Sequence, residues 1–394
     1  MEQSLNPVPV YSLRQLTGYF FKLGYIGFGG PVALVGHMHR DLVEQRKWIS
    51  EEDYKEGLAL AQLAPGPLAA QLAIYIGFVH YRMTGATLTG LVFIIPSFLM
   101  VVGLGIAYKM FGGLPWMQAI FYGVGAAVIG IIILSSYKLT IRSVSKLNVK
   151  SIRNAWVLWI IYLSGLIVTI LTQSEEVLVF VVAGLLYMLW KAPPKKLKLF
   201  QSHMSVVLFS GIGFWNYEPE VLSKMGLFFL KAGAFVFGSG LAIVPFLHGG
   251  LVLENHWLTE TQFIDAVAVA MITPGPVVIT VGFIGYLMCG FPGACVASLA
   301  TFLPCYLFTI LPAPYFKKIA KNTSIKAFVD GITAAVVGAL MGSVFVIASR
   351  SIKDIPTLFI ALAALLVLIY IKKIKEPTII LSAAIIGIIL KLVL

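Results

Sequence analysis

Two Pro-Gly-Pro motifs, each inside a long apolar stretch, are the residues of this sequence best suited to binding a small ligand. They are Pro65-Gly66-Pro67 and Pro274-Gly275-Pro276. A proline in a helix interior removes a hydrogen bond and clashes with the preceding turn, so each motif is expected to end one helix and start another. The new helix would present the amides of residues 68–70 or 277–279 and about half a positive charge, which favours an anion. A structural kink is the alternative interpretation.

Glycine-rich breaks precede both motifs. The first is Gly27–Pro31, and the second is Phe237–Gly240, at the matching place in the second half of the chain. Discontinuous helices at matching positions of two halves are typical of transport sites. We therefore add the glycines of these breaks to the candidate substrate-binding residues, namely Gly29, Gly30, Gly238 and Gly240.

Polar side chains accompany the breaks at aligned positions. Lys22 and Lys231 lie inside apolar segments, where a lysine near the bilayer centre costs roughly 2.5–3.5 kcal/mol and usually faces a cavity or a partner. We expect them to form a shared positive site, although each could instead extend to the membrane interface. Gln71 and Thr280 follow the motifs by about one turn. They are expected either to donate a hydrogen bond to a bound anion or to pack between helices.

Two aligned carboxylates, Glu56 and Asp265, lie nine residues before the two motifs. They are candidates for carrying protons or for pairing with the lysines. The alternative is that both are ordinary carboxylates at the membrane interface.

Two further aligned pairs are interpreted as structural residues first. Glu51 and Glu260 each follow a serine or threonine in a pattern typical of a helix start. His39 and His248 follow apolar segments and are expected to be surface or capping residues.

The composition indicates a membrane protein. Of the 394 residues, 59% are hydrophobic and 12% are charged, with a mean hydropathy of +0.92, whereas soluble domains carry about 25% charged residues. The apolar stretches are long enough to span a bilayer as helices and show no strand-like alternation. The net charge of +12 lies mostly in short loops, where it acts as an orientation signal and not as a nucleic-acid surface. The predicted fold class is an all-α polytopic membrane protein.

An internal repeat divides the chain into two related halves. Residues 22–67 align with residues 231–276 without a gap, and sixteen of these 46 positions are identical. The identities include Lys, His, Trp and Glu, which chance similarity between apolar stretches would not match in register. With a one-residue gap the alignment continues through Gly85/Gly293, Pro96/Pro304, Gly123/Gly331 and Gly130/Gly338. We expect the glycines of the last two pairs to be points of close helix packing.

Each half contains six apolar segments that are predicted to cross the membrane. In the first half they are 13–36, 57–81, 86–108, 116–137, 155–172 and 175–190. In the second half they are 222–247, 263–288, 292–312, 326–349, 355–371 and 377–394. The predicted domains are an N-terminal repeat (1–190), a basic linker (191–221) and a C-terminal repeat (222–394).

The distribution of Lys and Arg predicts that the halves have opposite orientations. In the first half, eleven basic residues lie on one predicted side and five on the other; in the second half the bias reverses, with seven against four. Because basic residues favour cytoplasmic loops, we predict inverted repeats with the N-terminus inside. Six crossings would leave the halves parallel, so Met204–Trp215 is expected to add one, giving thirteen. The cluster Arg40–Lys47 falls on the less favoured side.

Missing motifs argue against several classes of protein. The sequence has no Walker A motif for an ATP-driven pump and no HExxH or GxSxG motif, so we predict no enzyme and no cofactor. Cys289, Cys295 and Cys305 form no CxxC pair, and no metal site is expected.

The polar N-terminus predicts no signal peptide. The linker lysines are expected to contact anionic lipid headgroups, and a homodimer is an open prediction.

The motifs together resemble the chromate ion transporter family, in its long form with two fused halves of opposite orientation. The resemblance covers about residues 15–140 and 222–350. It depends on Phe28–Pro31, Trp48–Glu51, Ala64–Pro67, Gly77 and Pro96, which recur as Trp257–Glu260, Pro274–Pro276, Gly285 and Pro304. The second half departs from the pattern at 238–240, where Gly-Ser-Gly replaces Gly-Gly-Pro.

The resemblance implies a secondary transporter of the cytoplasmic membrane that exports chromate and confers resistance to it. Sulfate, a tetrahedral dianion of similar shape, is an alternative substrate, as are other small oxyanions. A passive anion channel and a membrane-embedded enzyme or scaffold are the alternative functions. Saturable flux with counter-transport would distinguish a transporter from a channel.

Overall fold

A computed structural model describes residues 11–27, 30–146, 148–172, 177–193, 219–236, 240, 243–316, 322–352, 354–371, 374 and 376–393. Throughout these residues, every regular element is a helix. Two candidate binding residues, Gly29 and Gly238, and the expected extra crossing Met204–Trp215 lie outside the described residues.

The two halves show the same order of helices. The first half contains α1 (Leu13–Ile26), α2 (Gly30–Met38, continued by a π-helical turn His39–Gln45), α3 (Glu51–Leu63), α4 (Leu68–Phe111), α5 (Pro115–Ser143), α6 (Val149–Asn154), α7 (Trp156–Thr172) and α8 (Val177–Lys191). The second half contains α9 (Pro219–Ala234), α10 (Ile243–His248, continued by a π-helical turn Gly249–Glu254), α11 (Glu260–Ile272), α12 (Thr280–Ile310, after a 3₁₀ turn Val277–Ile279), α13 (Thr323–Ser351), α14 (Ile355–Tyr370) and α15 (Glu376–Ile388).

Several helical stretches are long and apolar enough to cross a membrane. They are Leu68–Phe111, Pro115–Ser143, Val277–Tyr315 and Thr323–Arg350. Large apolar side chains on them, such as Leu99, Leu299 and Phe345, are exposed, as expected of a surface that faces lipid. The prediction of an all-α membrane protein is confirmed.

At the first glycine-rich break the chain folds back on itself. Tyr19 in α1 donates a hydrogen bond of 3.3 Å to Asp41, which follows α2. Tyr11, before α1, stacks on Trp48 with ring centroids 4.9 Å apart. α1 and α2 are therefore the two arms of a hairpin, called the break hairpin below. With 14 residues, α1 is about 21 Å long, too short for a hydrocarbon core of about 30 Å.

A second reversal occurs at the first Pro-Gly-Pro motif. Gly57 of α3 lies directly against the ring of Tyr75 of α4, and the motif lies midway between them in the sequence. α3 and the first arm of α4, residues 68–81, form what we call the PGP hairpin. At Arg82 (φ 51°, ψ −139°) α4 turns again, and Thr89 donates a hydrogen bond of 2.9 Å back to the carbonyl oxygen of Ala73. The second arm, residues 83–111, is long enough to cross a bilayer.

The second half reverses at the aligned places. In its break hairpin, formed by α9 and α10, Phe228 stacks on Phe246 and contacts Trp257, with ring centroids 5.4 and 5.8 Å apart. Its PGP hairpin is formed by α11 and residues 277–288. The motif Pro274–Pro276 lies between the end of α11 and the 3₁₀ turn Val277–Ile279. α12 turns at Cys289 and at Gly290, which has φ 60°.

These reversals lie within four of the predicted crossing segments. Segments 13–36, 57–81, 222–247 and 263–288 were expected to cross once each with a broken helix inside. The helix breaks at the Pro-Gly-Pro motifs are confirmed, and in addition the chain reverses direction within each of these segments. At the two Pro-Gly-Pro motifs the physical reason lies in the central glycines: Gly66 has φ +145° and Gly275 has φ +94°, and such angles redirect the chain more sharply than a proline kink. The loop after Gln45 lies beside the start of α1, as the contact between Tyr11 and Trp48 shows.

The long helices of the two halves run antiparallel. Thr87, early in the second arm of α4, is hydrogen-bonded to Tyr306, late in α12, with 2.6 Å between the hydroxyl oxygens. Lys109, late in the α4 arm, lies over the ring of Tyr286. The hairpins of the two halves therefore open on opposite faces, which we call face one, carrying Trp48, and face two, carrying Tyr286.

Each half encloses a long helix of the other half. α5 packs against α14 and α15, and α13 packs against α7 and α8. The contacts are close because glycines of α5 and α13 face the backbone of their neighbours. A Cβ on Gly123 would lie 2.0 Å from a carbonyl oxygen of α15, and a Cβ on Gly130 would lie 2.5 Å from a carbonyl oxygen of α14. A Cβ on Gly331 or on Gly338 would lie within 2.8 Å of a carbonyl oxygen of α8 or of α7, respectively. The predicted packing role of these glycines is confirmed.

Candidate functional site

The tips of the hairpins meet in the interior, and each PGP tip is hydrogen-bonded to the break of the other half. The amide of Gly66 donates to the carbonyl oxygen of Val236 at 2.5 Å, and the amide of Gly275 donates to that of Gly27 at 2.9 Å. Val236 and Gly27 are themselves aligned in the repeat. The breaks and the Pro-Gly-Pro motifs therefore form one central site to which both halves contribute.

Neither tip glycine has room for a side chain. A Cβ on Gly66 would lie 2.7 Å from Nε2 of Gln71 and 3.1 Å from Sγ of Cys305, and a Cβ on Gly275 would lie 2.0 Å from Oγ of Ser97. Ser97 and Cys305 are aligned positions, so each tip packs on the same element of the opposite half. Sequence analysis missed both residues. The aligned helix prolines immediately before them were the signal that could have identified them.

The helix that begins at the first PGP tip has a buried, uncapped N-terminus. Leu68, Ala69 and Ala70 are buried, and Pro67, at the N-cap position, supplies no side-chain acceptor. In the described part of the chain these three amides form no hydrogen bond, and the first bond of this turn runs from the amide of Gln71 to Pro67. Buried unpaired amides at a helix start are costly and are usually satisfied by a ligand or by water. This is the arrangement predicted for an anion site.

The second tip is partly closed by its 3₁₀ turn. The amide of Ile279 donates to the carbonyl oxygen of Pro276 at 2.9 Å, which leaves the amides of Val277 and Val278 at the start of the turn. Gly240 lies against this turn, where a Cβ would be 3.3 Å from the nitrogen of Val278. The glycine at this position therefore lets the second break approach the second tip.

The two predicted side-chain donors are used inside their own segments. Nε2 of Gln71 donates to the carbonyl oxygen of Pro65 at 2.9 Å, and the hydroxyl of Thr280 donates to that of Val277 at 2.8 Å. Oε1 of the fully buried Gln71 has no hydrogen-bond partner among the described residues. A water molecule or the hydroxyl of a protonated oxyanion could donate to this oxygen.

Lys22 and Lys231 lie beside the breaks and not among the tips. Both side chains are exposed, on α1 and α9, five residues before Gly27 and Val236. At about 1.5 Å per residue, this spacing puts each lysine backbone about 7 Å from its break along the helix axis. Each break hairpin thus has one lysine close to its break, and the shared positive site stays a prediction.

The two aligned carboxylates have different surroundings. Asp265 is 3% exposed and accepts a hydrogen bond of 2.6 Å from the hydroxyl of Tyr108, in the other half. Glu56 is partly exposed and is hydrogen-bonded to Tyr75 of its own hairpin. Tyr108 was not a predicted site residue, because its aligned position holds Phe316 and the repeat therefore gave no signal for it.

The aligned histidines bind the glutamates that begin α3 and α11. His39 and Glu51 are 2.9 Å apart, and His248 and Glu260 are 2.8 Å apart. Serine or threonine N-caps precede both glutamates, which confirms the helix-start interpretation. Within the described residues, no group of three His, Cys, Asp or Glu side chains is placed to hold a metal ion.

These two pairs differ in their access to solvent. His39 and Glu51 are 31% and 49% exposed, beside an open groove of about 650 Å³. His248 and Glu260 are 2% and 22% exposed, and Arg350 from α13 approaches Glu260 to 3.4 Å. The hairpin region is thus open in the first half and covered in the second.

Comparisons with known proteins agree on one family. A family model described as chromate transporter matches residues 14–189 and 223–388. The chromate transport protein of Cupriavidus metallidurans is 61% identical over 98% of this chain and 95% of its own length. The probable chromate transport protein of Synechococcus elongatus is 56% identical (98% and 97%), and the chromate transport protein of Pseudomonas aeruginosa is 29% identical (96% and 92%). No solved structure matches the chain.

Proposed function

The chain belongs to the chromate transporter family, and from this premise we propose that it is a secondary transporter that exports chromate across the cytoplasmic membrane and so confers resistance. We propose sulfate as a competing substrate, because it is also a tetrahedral dianion. The candidate site is the central one, and the lysines of the break hairpins would attract the anion to it.

The observation that supports this proposal best is the meeting of the four chain reversals around a buried helix N-terminus. The amides of Leu68, Ala69 and Ala70 could donate to the oxygens of a tetrahedral anion, and the helix contributes about half a positive charge at that point. Reciprocal hydrogen bonds tie each tip to the other half, at Val236 and Gly27. A site held by both halves can change its access when the halves move, as alternating access requires.

We infer inverted repeats with nine crossings and four re-entrant hairpins, in place of thirteen crossings. Each half would cross four times, and Met204–Trp215 would supply the ninth. With the hairpins of the first half on face one, fifteen of its basic residues share that face, Lys109 lies on the other and Lys22 lies between. Fifteen basic residues on one face and one on the other fit the positive-inside rule better than the eleven against five of the thirteen-crossing topology. The rule then makes face one cytoplasmic. The fifteen are Arg14, Arg40, Arg46, Lys47, Lys55, Arg82, Lys138, Arg142, Lys146, Lys150, Arg153, Lys191, Lys195, Lys196 and Lys198.

The membrane potential favours export of a dianion. Moving one charge across 100 mV is worth about 2.3 kcal/mol, so a dianion gains roughly 4.6 kcal/mol on leaving a cell with a negative interior. At about 1.4 kcal/mol per decade, this supports a concentration ratio above a thousandfold. Uptake would need about two co-transported protons merely to cancel the voltage. Glu56 and Asp265 are the proposed proton-coupling residues.

Flux of radiolabelled chromate and sulfate in proteoliposomes, with voltage and pH set independently, tests the proposal. We expect saturable, voltage-driven chromate flux that sulfate inhibits and that chromate on the opposite side accelerates. Flux that neither saturates nor shows counter-transport would support a passive anion channel instead. Chromate flux equal to that of empty liposomes would refute both functions.

A further inference from the structure

A hydrogen bond joins a buried carboxyl of the second half to a phenol of the first. Asp265 in α11 is 3% exposed, and its Oδ2 lies 2.6 Å from the hydroxyl of Tyr108 in α4. The rings of Phe121 and Phe283 pack edge-on against Tyr108, with centroids 5.4 and 5.5 Å away. The pair is thus enclosed by aromatic side chains and lies between face two and the central site.

One phenol is a poor substitute for water around an ionised carboxylate. A buried carboxylate without a positive partner or several donors pays a large desolvation cost, and such a group usually takes up a proton instead. Asp265 therefore carries a proton while α11 holds this position.

The charged groups on the elements around α11 have other partners or lie elsewhere. Lys109 of α4 lies over the ring of Tyr286, and Arg350 of α13 pairs with Glu260 in the first turn of α11. α12 and the 3₁₀ turn before it contain no charged residue. The remaining charged residues on these elements are Arg82 of α4, Lys138 and Arg142 of α5, Lys326 and Asp330 of α13, Glu376 of α15, and Lys391 of the π-helical turn Ile389–Val393 that follows α15.

The matching place in the first half is built differently. Phe316 is aligned with Tyr108, and the hydroxyl beside Glu56 comes from Tyr75 of the same hairpin. Movement of α3 would therefore carry Glu56 and its partner together. Movement of α11 away from α4 would separate Asp265 from Tyr108 and expose the carboxyl to water.

We propose that Asp265 is the proton-binding residue of the transport cycle and that Tyr108 is its positioning residue. This rests on the proposed function as a secondary transporter. A proton bound from water at face two neutralises Asp265, and α11 then docks against α4. Loss of that proton through the central site to face one leaves a carboxylate, and α11 then undocks, so that a proton crosses from face two to face one in each cycle. The second ligand of the transporter is thus a proton, exchanged for the oxyanion.

Docking can be measured without any substrate, by hydrogen exchange of residues 260–272 in purified protein between pH 6 and pH 9. In the wild type, exchange corrected for its intrinsic rate should rise about tenfold per pH unit below the titration midpoint and level off above it, as the loss of one proton on undocking requires. Asp265→Asn is always neutral and should stay docked throughout. Glu220→Gln, which changes an exposed carboxyl paired with Lys224 on α9, is the control and should behave as the wild type does.

Chromate flux at varied pH on the side of face two supplies the second measurement. Asp265→Asn should lose the dependence on that pH, and Asp265→Glu should retain it. Tyr108→Phe should lower flux severalfold and displace the midpoint while the dependence persists, which a merely structural role would not produce. If Asp265→Asn fails to fold, the flux of Asp265→Glu and of Tyr108→Phe tests the proton site instead.

Each outcome has one meaning. An Asp265→Asn protein that keeps the wild type's pH response in exchange and in flux overturns the proton site, as does an Asp265→Glu protein that loses it. Wild-type protein that shows the pH-dependent exchange but moves no chromate refutes the transport function and leaves the proton site standing.

Discussion

The PGP hairpins of the two halves share one design but occupy different positions. α11 packs against α4, α5, α13 and α15 as well as α12, whereas α3 packs chiefly against α4 and the π-helical turn before it. Arg350 pairs with Glu260 across the docked hairpin. Its aligned counterpart, Arg142, is exposed at the end of α5, and Glu51 pairs with His39 and Lys55 instead.

The difference indicates which parts can move. The packing of the long helices and the hydrogen bonds of the two tip glycines match between the halves, whereas α3 and α11 pack unequally. A molecule covered at face two and open at face one is what a transporter needs while it admits an anion from one side. The docked hairpin therefore shows the arrangement that the open one would adopt in the opposite state.

The largest effect is expected at the tip glycines, where the halves are alike. Gly275→Ala would place a Cβ 2.0 Å from Oγ of Ser97 with φ at +94°, and Gly66→Ala would place one against flexible Gln71 at φ +145°. Backbone strain of about 1–3 kcal/mol corresponds to roughly tenfold or more in rate, so both should lose most chromate flux, Gly275→Ala more completely. Gly103→Ala, where nothing lies within 4 Å, is the control. Undiminished flux in both tip variants would show that the Pro-Gly-Pro tips do not contribute to chromate transport.

The next largest effect is on the free energy of unfolding, and it should differ between the PGP hairpins of the two halves. Arg350→Ala removes a partner of half-buried Glu260 and should lower the free energy of unfolding by about 1 kcal/mol, whereas Arg142→Ala should change it by less than about 0.5 kcal/mol. Thermal unfolding in detergent measures both. Equal losses in the two variants would mean that the asymmetry is absent in solution.

This stabilisation should depend on pH. Burial raises the pKa of Glu260, but hydrogen bonds from His248 and Arg350 outweigh it and hold the pKa below its ordinary value of 4.5. A lowered pKa stabilises the fold above pH 4.5, and the contribution is lost as pH falls through the lowered value. The difference in Tm between wild type and Arg350→Ala should therefore be full near neutral pH and shrink below 4.5. A constant difference would show that Arg350 acts through packing alone.

A smaller effect is expected at the lysines of the break hairpins. Lys22→Gln or Lys231→Gln should raise the half-saturating chromate concentration about two- to fivefold, since one exposed charge near a helix terminus is worth under about 1 kcal/mol. The double variant should be worse. Lys224→Gln, whose lysine pairs with Glu220 on the surface, provides the control. An unchanged affinity and rate in the folded double variant would exclude a lysine site.

The smallest effect concerns the turn inside α4. Arg82 has φ 51° and ψ −139°, close to the values of Gly290 (φ 60°, ψ −152°) in α12. Arg82→Gly should relieve this strain and stabilise the fold by about 0.5 kcal/mol, whereas Gly290→Ala should destabilise it by about 1 kcal/mol. Tm values of the two variants test the comparison; a lower Tm for Arg82→Gly would mean that its contact with Phe78 outweighs the strain.

The sequence was sufficient to predict the helical class, the repeat and the places where helices break. Hydropathy measures only whether a segment is apolar, and a 25-residue apolar run has the same value whether it crosses or folds back. The contacts that decide the matter, such as Tyr11 on Trp48 and Tyr19 on Asp41, join residues far apart in the chain. One sequence signal pointed away from thirteen crossings: the basic cluster Arg40–Lys47 fell on the less favoured side of the predicted topology.

The asymmetry of the site could not be predicted from a repeat. Alignment pairs Glu56 with Asp265 and His39 with His248, and it treats the members of each pair as equivalent. Their burial differs because α3 and α11 pack against different neighbours, which is a property of the conformation and not of the residue types. Tyr108 escaped notice for the opposite reason, because the alignment pairs it with a residue that lacks its hydroxyl.

The mutual enclosure of α5 and α13 has a consequence for biosynthesis. α5 finds its lasting neighbours, α14 and α15, only after almost the whole chain has left the ribosome. Until then the surface around Gly123 and Gly130 faces lipid or a temporary partner, and the first half cannot reach its final packing. Truncated chains should therefore be targets for membrane quality control, and maturation of the protein should be limited by the synthesis of its last helices.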